Sequence, residues 1–303
     1  MRTILKLGIS LSVFATLLSC ESSVNKNEYL NTPFLYLGSE NHEFSEPPVH
    51  VQKNVLLEDY TGHYCGYCPD ASRIIKELLN TPKYTDRLIP VSIYPTTAFN
   101  RFSPGADRFF YDFTTDEGDK LDAYYGVSSK NLPNGVVNRK EYESDMILGR
   151  SKWKNAIDDI LEEPAVAWVD VYADYDNSDN KYLTLSTRVK MLDSYPNPIN
   201  VNVVLIEDHI INWQLDYSQD PKEVENYEHN FVLRYNNEAF NRNLFGAWGV
   251  ELGSSNKNTD EIKQVTTTLN GTDWNVNNLY AVAYIYDATT KEVLQVNKTK
   301  VIQ

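Results

Sequence analysis

Two cysteines stand two residues apart in Cys65-Gly66-Tyr67-Cys68, after the apolar run Val55-Leu56-Leu57 and before a helical pattern. Thiols that close can cycle between dithiol and disulfide. The thiolate is the nucleophile of disulfide exchange, so the attacking cysteine needs a depressed pKa. A helix N-terminus supplies this through its unpaired amides and the positive end of its dipole. Cys65 falls where the helix should begin and is assigned as nucleophile. Cys68, about one turn in, is assigned as resolving cysteine. Gly66 is expected to let the backbone turn tightly, and Pro69 suits a first helical turn.

Other residues extend this constellation. Asp59 lies six positions before Cys65, at the end of a strand. A carboxylate buried beneath a dithiol can accept a proton during exchange if desolvation raises its pKa. Glu58 faces the other side of that strand. Pro133 precedes a β-run, and a cis Leu132-Pro133 bond would expose the Leu132 backbone to a substrate peptide. Tyr67 and Leu132 are the expected substrate contacts. The same pair admits other chemistry. It could be a structural disulfide, although so small a loop constrains the unfolded chain little. It could bind zinc through His63, Cys65 and Cys68, but no second cysteine pair exists. Haem attachment would need a histidine where Pro69 stands. No cofactor and no metal is expected.

The elements that must position these residues are legible in part. Val49–Val51 and Val55–Tyr60 read as extended. Ala71, Ile74, Ile75, Leu78 and Leu79 recur at helical spacing, so residues 68–80 predict an amphipathic helix. Leu88-Ile89-Pro90-Val91-Ser92-Ile93 suits a buried strand. Residues 95–125 read as a helical insertion, 135–137 as the start of a strand and 150–162 as helix. After Pro164 the texture becomes strand-like with turns: 165–173, 182–191, 199–207, 262–269, 279–287 and 293–302. That pattern predicts an all-β sandwich, interrupted by an insertion at 208–255 that contains Trp213, His229, Arg234 and Trp248. His229 and Arg234 are read there as local structure, with a polar site or an interdomain contact as the alternative.

The N-terminus reads MRTILKLGISLSVFATLLSC, with Arg2 and Lys6 ahead of an apolar stretch. Leu17-Leu18-Ser19-Cys20 looks like a bacterial lipobox, in which the leader is cut before a cysteine that carries lipid. Residues 1–19 are therefore expected to be a signal peptide, with Cys20 lipidated and residues 20–48 a polar tether. The formal charge is −14, and loss of Arg2 and Lys6 deepens it by two. So acidic a chain is a poor partner for nucleic acid. The membrane partner is reached through the lipid at Cys20, and an oxidising compartment follows.

From about residue 50 to 150 the residues resemble a thioredoxin-like domain. More narrowly, Val55 through Pro69, Gly135-Val136-Val137-Asn138-Arg139, Tyr227 through Arg234, and Tyr284-Ile285-Tyr286-Asp287 with Val293-Leu294-Gln295-Val296 resemble a known family. It is the family of outer-membrane lipoproteins named after a twenty-eight-kilodalton outer-membrane protein. The resemblance implies an α/β thioredoxin-like domain at 49–162 and a β-rich domain, an immunoglobulin-like sandwich, at 163–303. It also implies an outer-membrane location facing the periplasm or the cell surface, with some family members described as antigens or adhesins. Tyr64 stands where thioredoxins usually carry Trp, and Tyr67 where they often carry Pro.

Two functions follow as expectations. One is a lipid-anchored thiol–disulfide oxidoreductase acting on protein thiols and disulfides through Cys65, Cys68, Asp59 and Pro133. The other is a non-catalytic surface lipoprotein serving adhesion or ligand binding, with Cys65–Cys68 a permanent disulfide and the 208–255 insertion or the sandwich loops as working surface.

Overall fold

The computed structural model describes residues 44–179, 181–234 and 246–302. The expected signal segment, Cys20 and the first part of the expected tether lie outside the described residues. The end of the tether is held in place, with Glu46 pairing with Arg188 (3.0 Å) and Lys190 (2.8 Å).

The first half begins with β1 (Val55–Tyr60), α1 (Cys68–Leu79) and β2 (Leu88–Ile93). β1 and β2 pair in parallel, Val55 opposite Leu88 through Tyr60 opposite Ile93. Every residue of both strands is buried, which accounts for the apolar runs Val55-Leu56-Leu57 and Leu88 to Val91 and leaves Glu58 and Asp59 as carboxyls in the core. α1 buries Ala71, Ile75 and Leu78, and Pro69 sits in its first turn. α2 (Asp116–Tyr125) is capped by Thr115, whose hydroxyl accepts the Gly118 N–H. β3 (Asn134–Val137) runs antiparallel to β1, and β4 (Leu148–Gly149) leads into α3 (Arg150–Leu161). The helical insertion expected at 95–125 is helical only over α2.

The second half supplies β5 (Ala167–Tyr175), β6 (Tyr182–Met191), β7 (Ile199–Glu207), β8 (Ile210–Leu215), β9 (Glu223–His229), β10 (Val232–Arg234), β11 (Val250–Glu251), β12 (Asp260–Thr268), β13 (Leu279–Asp287) and β14 (Val293–Lys300). The expected insertion is thus largely structured: β8 and β9 form a hairpin, and β10 and β11 join a larger sheet.

The expected α/β thioredoxin-like domain followed by an immunoglobulin-like sandwich is not what the chain forms. The described residues are mostly β, with three α-helices, and one mixed sheet of nine strands runs through both halves. Its order is β14-β13-β7-β10-β2-β1-β3-β4, with β11 also on β7. The join is β10. Val232 pairs in parallel with Ser92 of β2, and Leu233 and Arg234 pair antiparallel with Ile206 and Leu205 of β7. Without β10, β2 would present an open apolar edge, which proteins avoid exposing. The antiparallel sheet β12-β6-β5 packs on the β7–β13–β14 part through Val169, Leu185, Val189, Val203, Ala283 and Ile285. β13 is buried along almost its whole length, as befits a central strand covered on both faces. A second buried cluster joins Leu56 and Tyr60 of β1 to Val282 and Tyr284 of β13, and includes Cys65, Cys68 and Leu132.

Candidate functional site

β1 delivers the chain to the cysteines. After Tyr60 the backbone turns through Thr61 and Gly62, and Cys65 N–H closes a turn on the Gly62 carbonyl (3.0 Å). Cys68 N–H then bonds the Cys65 carbonyl (3.1 Å) as α1 starts. The two cysteines form a disulfide (2.06 Å) and are almost wholly buried, at 2% and 1% exposure.

By strand alternation Asp59 projects from the face of β1 that carries Val55 and Leu57, the face packed against Ala71 and Ile75 of α1. It is 1% exposed and its Oδ1 has no hydrogen-bond partner. Burial lifts its carboxyl to a pKa of about 7. Glu58 points to the opposite face and pairs with the buried Arg139, at 2.6 Å from Nη2 and 3.0 Å from Nε. Arg139 also donates to the Tyr284 hydroxyl (3.1 Å), tying the end of β3 to β13. Leu132-Pro133 is cis, and both residues are buried. Tyr67 is exposed and meets Tyr217 edge to face.

His63, the possible metal ligand, is engaged elsewhere. Its Nε2 bonds the Arg101 carbonyl (2.9 Å) and its ring packs among Tyr64, Phe109 and Phe113. Burial lowers its pKa and keeps it neutral.

The sequence did not reveal what covers the disulfide. The β8–β9 hairpin lies over the 62–66 loop. Leu215 N–H donates to the His63 carbonyl (2.7 Å) and Tyr217 N–H to the Gly66 carbonyl (2.9 Å). Gln214 Nε2 donates to the carbonyls of Gly62 and Cys65, each at 3.2 Å. Asp216 is fixed by Arg73 of α1 (2.9 Å). The backbone turns tightly at Gly66 as expected, with Gly66 and Tyr67 inside the turn closed by Cys68 N–H on the Cys65 carbonyl, but without a positive φ at Gly66. Gly66 is needed because a Cβ there would lie 2.6 Å from the Tyr217 ring. Contacts that join residues some 150 positions apart leave no local signal.

His229 and Arg234 are buried and structural. His229 lies in β9, where Nδ1 meets the Tyr94 hydroxyl (3.0 Å), and desolvation drops its pKa to about 3. Arg234 anchors β10 to β7 through Glu207 (2.7 Å) and reaches the Tyr111 hydroxyl (2.6 Å).

The fold is similar to that of HBP35 of Porphyromonas gingivalis, with a TM-score of 0.58 at 14% identity over 82% of this chain and 76% of that one. A domain of the outer membrane lipoprotein Omp28 from Porphyromonas gingivalis is 23% identical over 45% of this chain and 88% of that one, at a TM-score of 0.29. No curated protein sequence matches the chain. The family model described as outer membrane protein Omp28 matches residues 118–303. That span holds three of the four stretches that suggested the family, and it begins after the cysteine pair. It covers more than half of the sequence, and the chain belongs to the Omp28 family of outer-membrane proteins.

Proposed function

We propose that this outer-membrane protein is a non-catalytic binding protein, held by lipid at Cys20, in which Cys65–Cys68 is a permanent structural disulfide. The exposed part of the 208–255 insertion is its working surface. The burial of both cysteines under the β8–β9 hairpin carries this reading. Exchange requires a partner's sulfur to reach a protein sulfur. Here the Leu215–Tyr217 segment, the end of β8 and the turn after it, occupies the carbonyls beside the pair, and Tyr217 covers Gly66.

The test is to equilibrate the mature protein in glutathione buffers and count free thiols. A disulfide still closed well below about −300 mV supports the reading. A couple that titrates between about −120 and −270 mV overturns it.

Asp59 favours a second reading, thiol–disulfide exchange, because an unpartnered buried carboxyl with a pKa near 7 is suited to proton transfer. In this reading the Cys65 thiolate attacks a substrate disulfide, forming a mixed disulfide and releasing one substrate thiolate. The Cys68 thiolate then attacks the Cys65 sulfur and releases the second. The substrate gains two electrons, the pair loses two, and Asp59 takes up the Cys68 proton. Tyr67, Leu132 and Pro133 hold the substrate chain once the hairpin has moved. Cys65→Ser abolishes disulfide reduction if this reading holds, and unchanged activity overturns it.

A further inference from the structure

The outer side of the same hairpin carries a cleft of about 500 Å³. Its wall is Trp213, half-buried in β8, and its rim includes Arg108, Asp220, Glu223, Glu225 and Asn226. The hairpin is built to aim Trp213 there. Asn212 pairs with Tyr227 and Gln214 with Val224, so Trp213 alone faces both Glu225 and Asn226. Two residues opposite one is a β-bulge, and bulges re-aim side chains. Phe109, itself buried, lies against Trp213 with centroids 5.9 Å apart.

One seat in the cleft is already taken. The Arg108 guanidinium lies over the Trp213 indole, 5.4 Å from its centroid, and pairs with Glu223. Arg108 comes from the 95–115 loop, and its side chain is 60% exposed. An indole face beside a carboxylate is a seat for a planar cation, by cation–π attraction and a charge-assisted hydrogen bond. The Asp220 and Glu225 side chains are exposed beside it, so the rim carries three carboxylates against one guanidinium. The whole chain carries a formal charge of −14, which draws cationic partners towards such a cleft.

We propose that the Trp213 cleft binds a basic peptide segment of a partner protein, with a partner arginine taking the seat that Arg108 fills. The proposal rests on the binding-protein reading and names its ligand class. Arginine is preferred over lysine because a guanidinium stacks on indole and forks onto a carboxylate. Exposed Asp220 and Glu225 receive the flanking cations.

The experiment is calorimetric titration of the mature protein with penta-arginine and penta-lysine. Penta-arginine should bind at least fivefold more tightly than penta-lysine. Asp220→Asn with Glu225→Gln, both on exposed side chains, should weaken binding at least tenfold, as should Trp213→Leu. Arg108→Gln should vacate the seat and tighten binding. Asp174→Asn with Asp176→Asn, at the end of β5 and just after it and outside the cleft lining, is the control. No binding, equal loss in the control, or indifference to both the carboxylate pair and Trp213 overturns the proposal. So does capture of a neutral oligosaccharide in place of the peptide. The free-thiol titration does not depend on this cleft, so failure here leaves the structural-disulfide reading to stand or fall separately.

Discussion

The ring of Tyr217 rests directly on the backbone of Gly66, so close that a methyl group at position 66 would lie 2.6 Å from three ring carbons. That contact packs the β8–β9 hairpin onto the loop that carries the buried Cys65–Cys68 disulfide. Gly66→Ala should push the ring away and loosen that packing, because overpacking typically costs about 1–3 kcal/mol. The readout is the rate at which excess dithiothreitol opens the disulfide. A rise of about tenfold or more is expected, since 1.4 kcal/mol corresponds to a factor of ten. Adding Tyr217→Ala to Gly66→Ala should restore folding stability but leave reduction fast. Equal rates in the wild type and Gly66→Ala would show that the ring does not protect the sulfurs.

Asp216 is the electrostatic pin of the same cover. Its carboxylate is nearly buried, Arg73 holds it across to α1, and the pairing keeps it below the usual carboxylate pKa against the opposing effect of burial. Arg73 is itself 43% exposed on its side chain, so solvent screens the pair and its contribution is small, about 1 kcal/mol or less. Asp216→Asn should therefore leave global stability nearly unchanged. It should speed hydrogen exchange at the Leu215 and Tyr217 amides several-fold, with Val203 in β7 unaffected. Uniform acceleration across the sheet would contradict a local pin.

Much of this site was legible in the sequence. The cysteine pair at a strand–helix junction, the amphipathic spacing of Ala71, Ile75 and Leu78, and Asp59 on the face opposite Glu58 all follow from local periodicity. The strands 199–207 and 279–287 fall where alternation and turn residues set them. What could not be read was pairing at long range. Phe231-Val232-Leu233 looks like a few apolar residues in a loop, yet Val232 is the residue that meets Ser92 across 140 positions. No local pattern says that a three-residue strand will fill the gap between two halves. The same holds for Gly66, whose need for a missing Cβ comes from a ring 151 positions away. Cys20, the expected lipid site, lies outside the described residues, and the outer-membrane location follows from the family.

Asp59 and His229 tilt stability with pH in opposite directions. Burial raises Asp59 from 3.8 to about 7. Between those values the folded chain keeps a proton that the unfolded chain has lost, so this contribution is present below about pH 4 and is lost as pH rises through 7. Burial lowers His229 from 6.5 to about 3. Between those values the unfolded chain binds a proton that the folded chain refuses, so this contribution is present above pH 6.5 and is lost as pH falls. Each shift of about three units is on the order of 4 kcal/mol, and the two slopes offset between about pH 4 and 6.5. Asp59→Asn should leave stability rising with pH across that window, and His229→Gln should leave it falling. Urea unfolding at pH 4, 5, 6 and 7 separates the three proteins. Parallel curves would refute the assignment.

Glu58 and Arg139 form a buried ion pair, 2% and 1% exposed, between β1 and the end of β3. Removing one partner strands a charge in the core. Glu58→Gln or Arg139→Met alone should cost about 3–5 kcal/mol, whereas Glu58→Leu with Arg139→Met together should recover most of that loss. Denaturant midpoints of the three variants test this. Additive losses in the double variant would mean that Arg139 acts mainly through its bond to Tyr284.

A continuous sheet makes a prediction that two separate domains would not. Val232 is fully buried between β2 and β7, so its pairings couple the first half of the chain to the second. Two variants, each retaining a single tryptophan, can report on the two halves. Trp153 packs under β1 and β3 in α3, and Trp168 lies on β5. The continuous sheet predicts that both probes unfold at one urea midpoint, because β10 pairs with β2 on one side and β7 on the other. Val232→Ala removes buried apolar contact worth about 1–3 kcal/mol and should lower both midpoints together. A shift at Trp153 with none at Trp168 would show that β10 belongs energetically to the first half alone. The covering hairpin, carried on the same segment as β10, would then depend on that half rather than on the sheet as a whole.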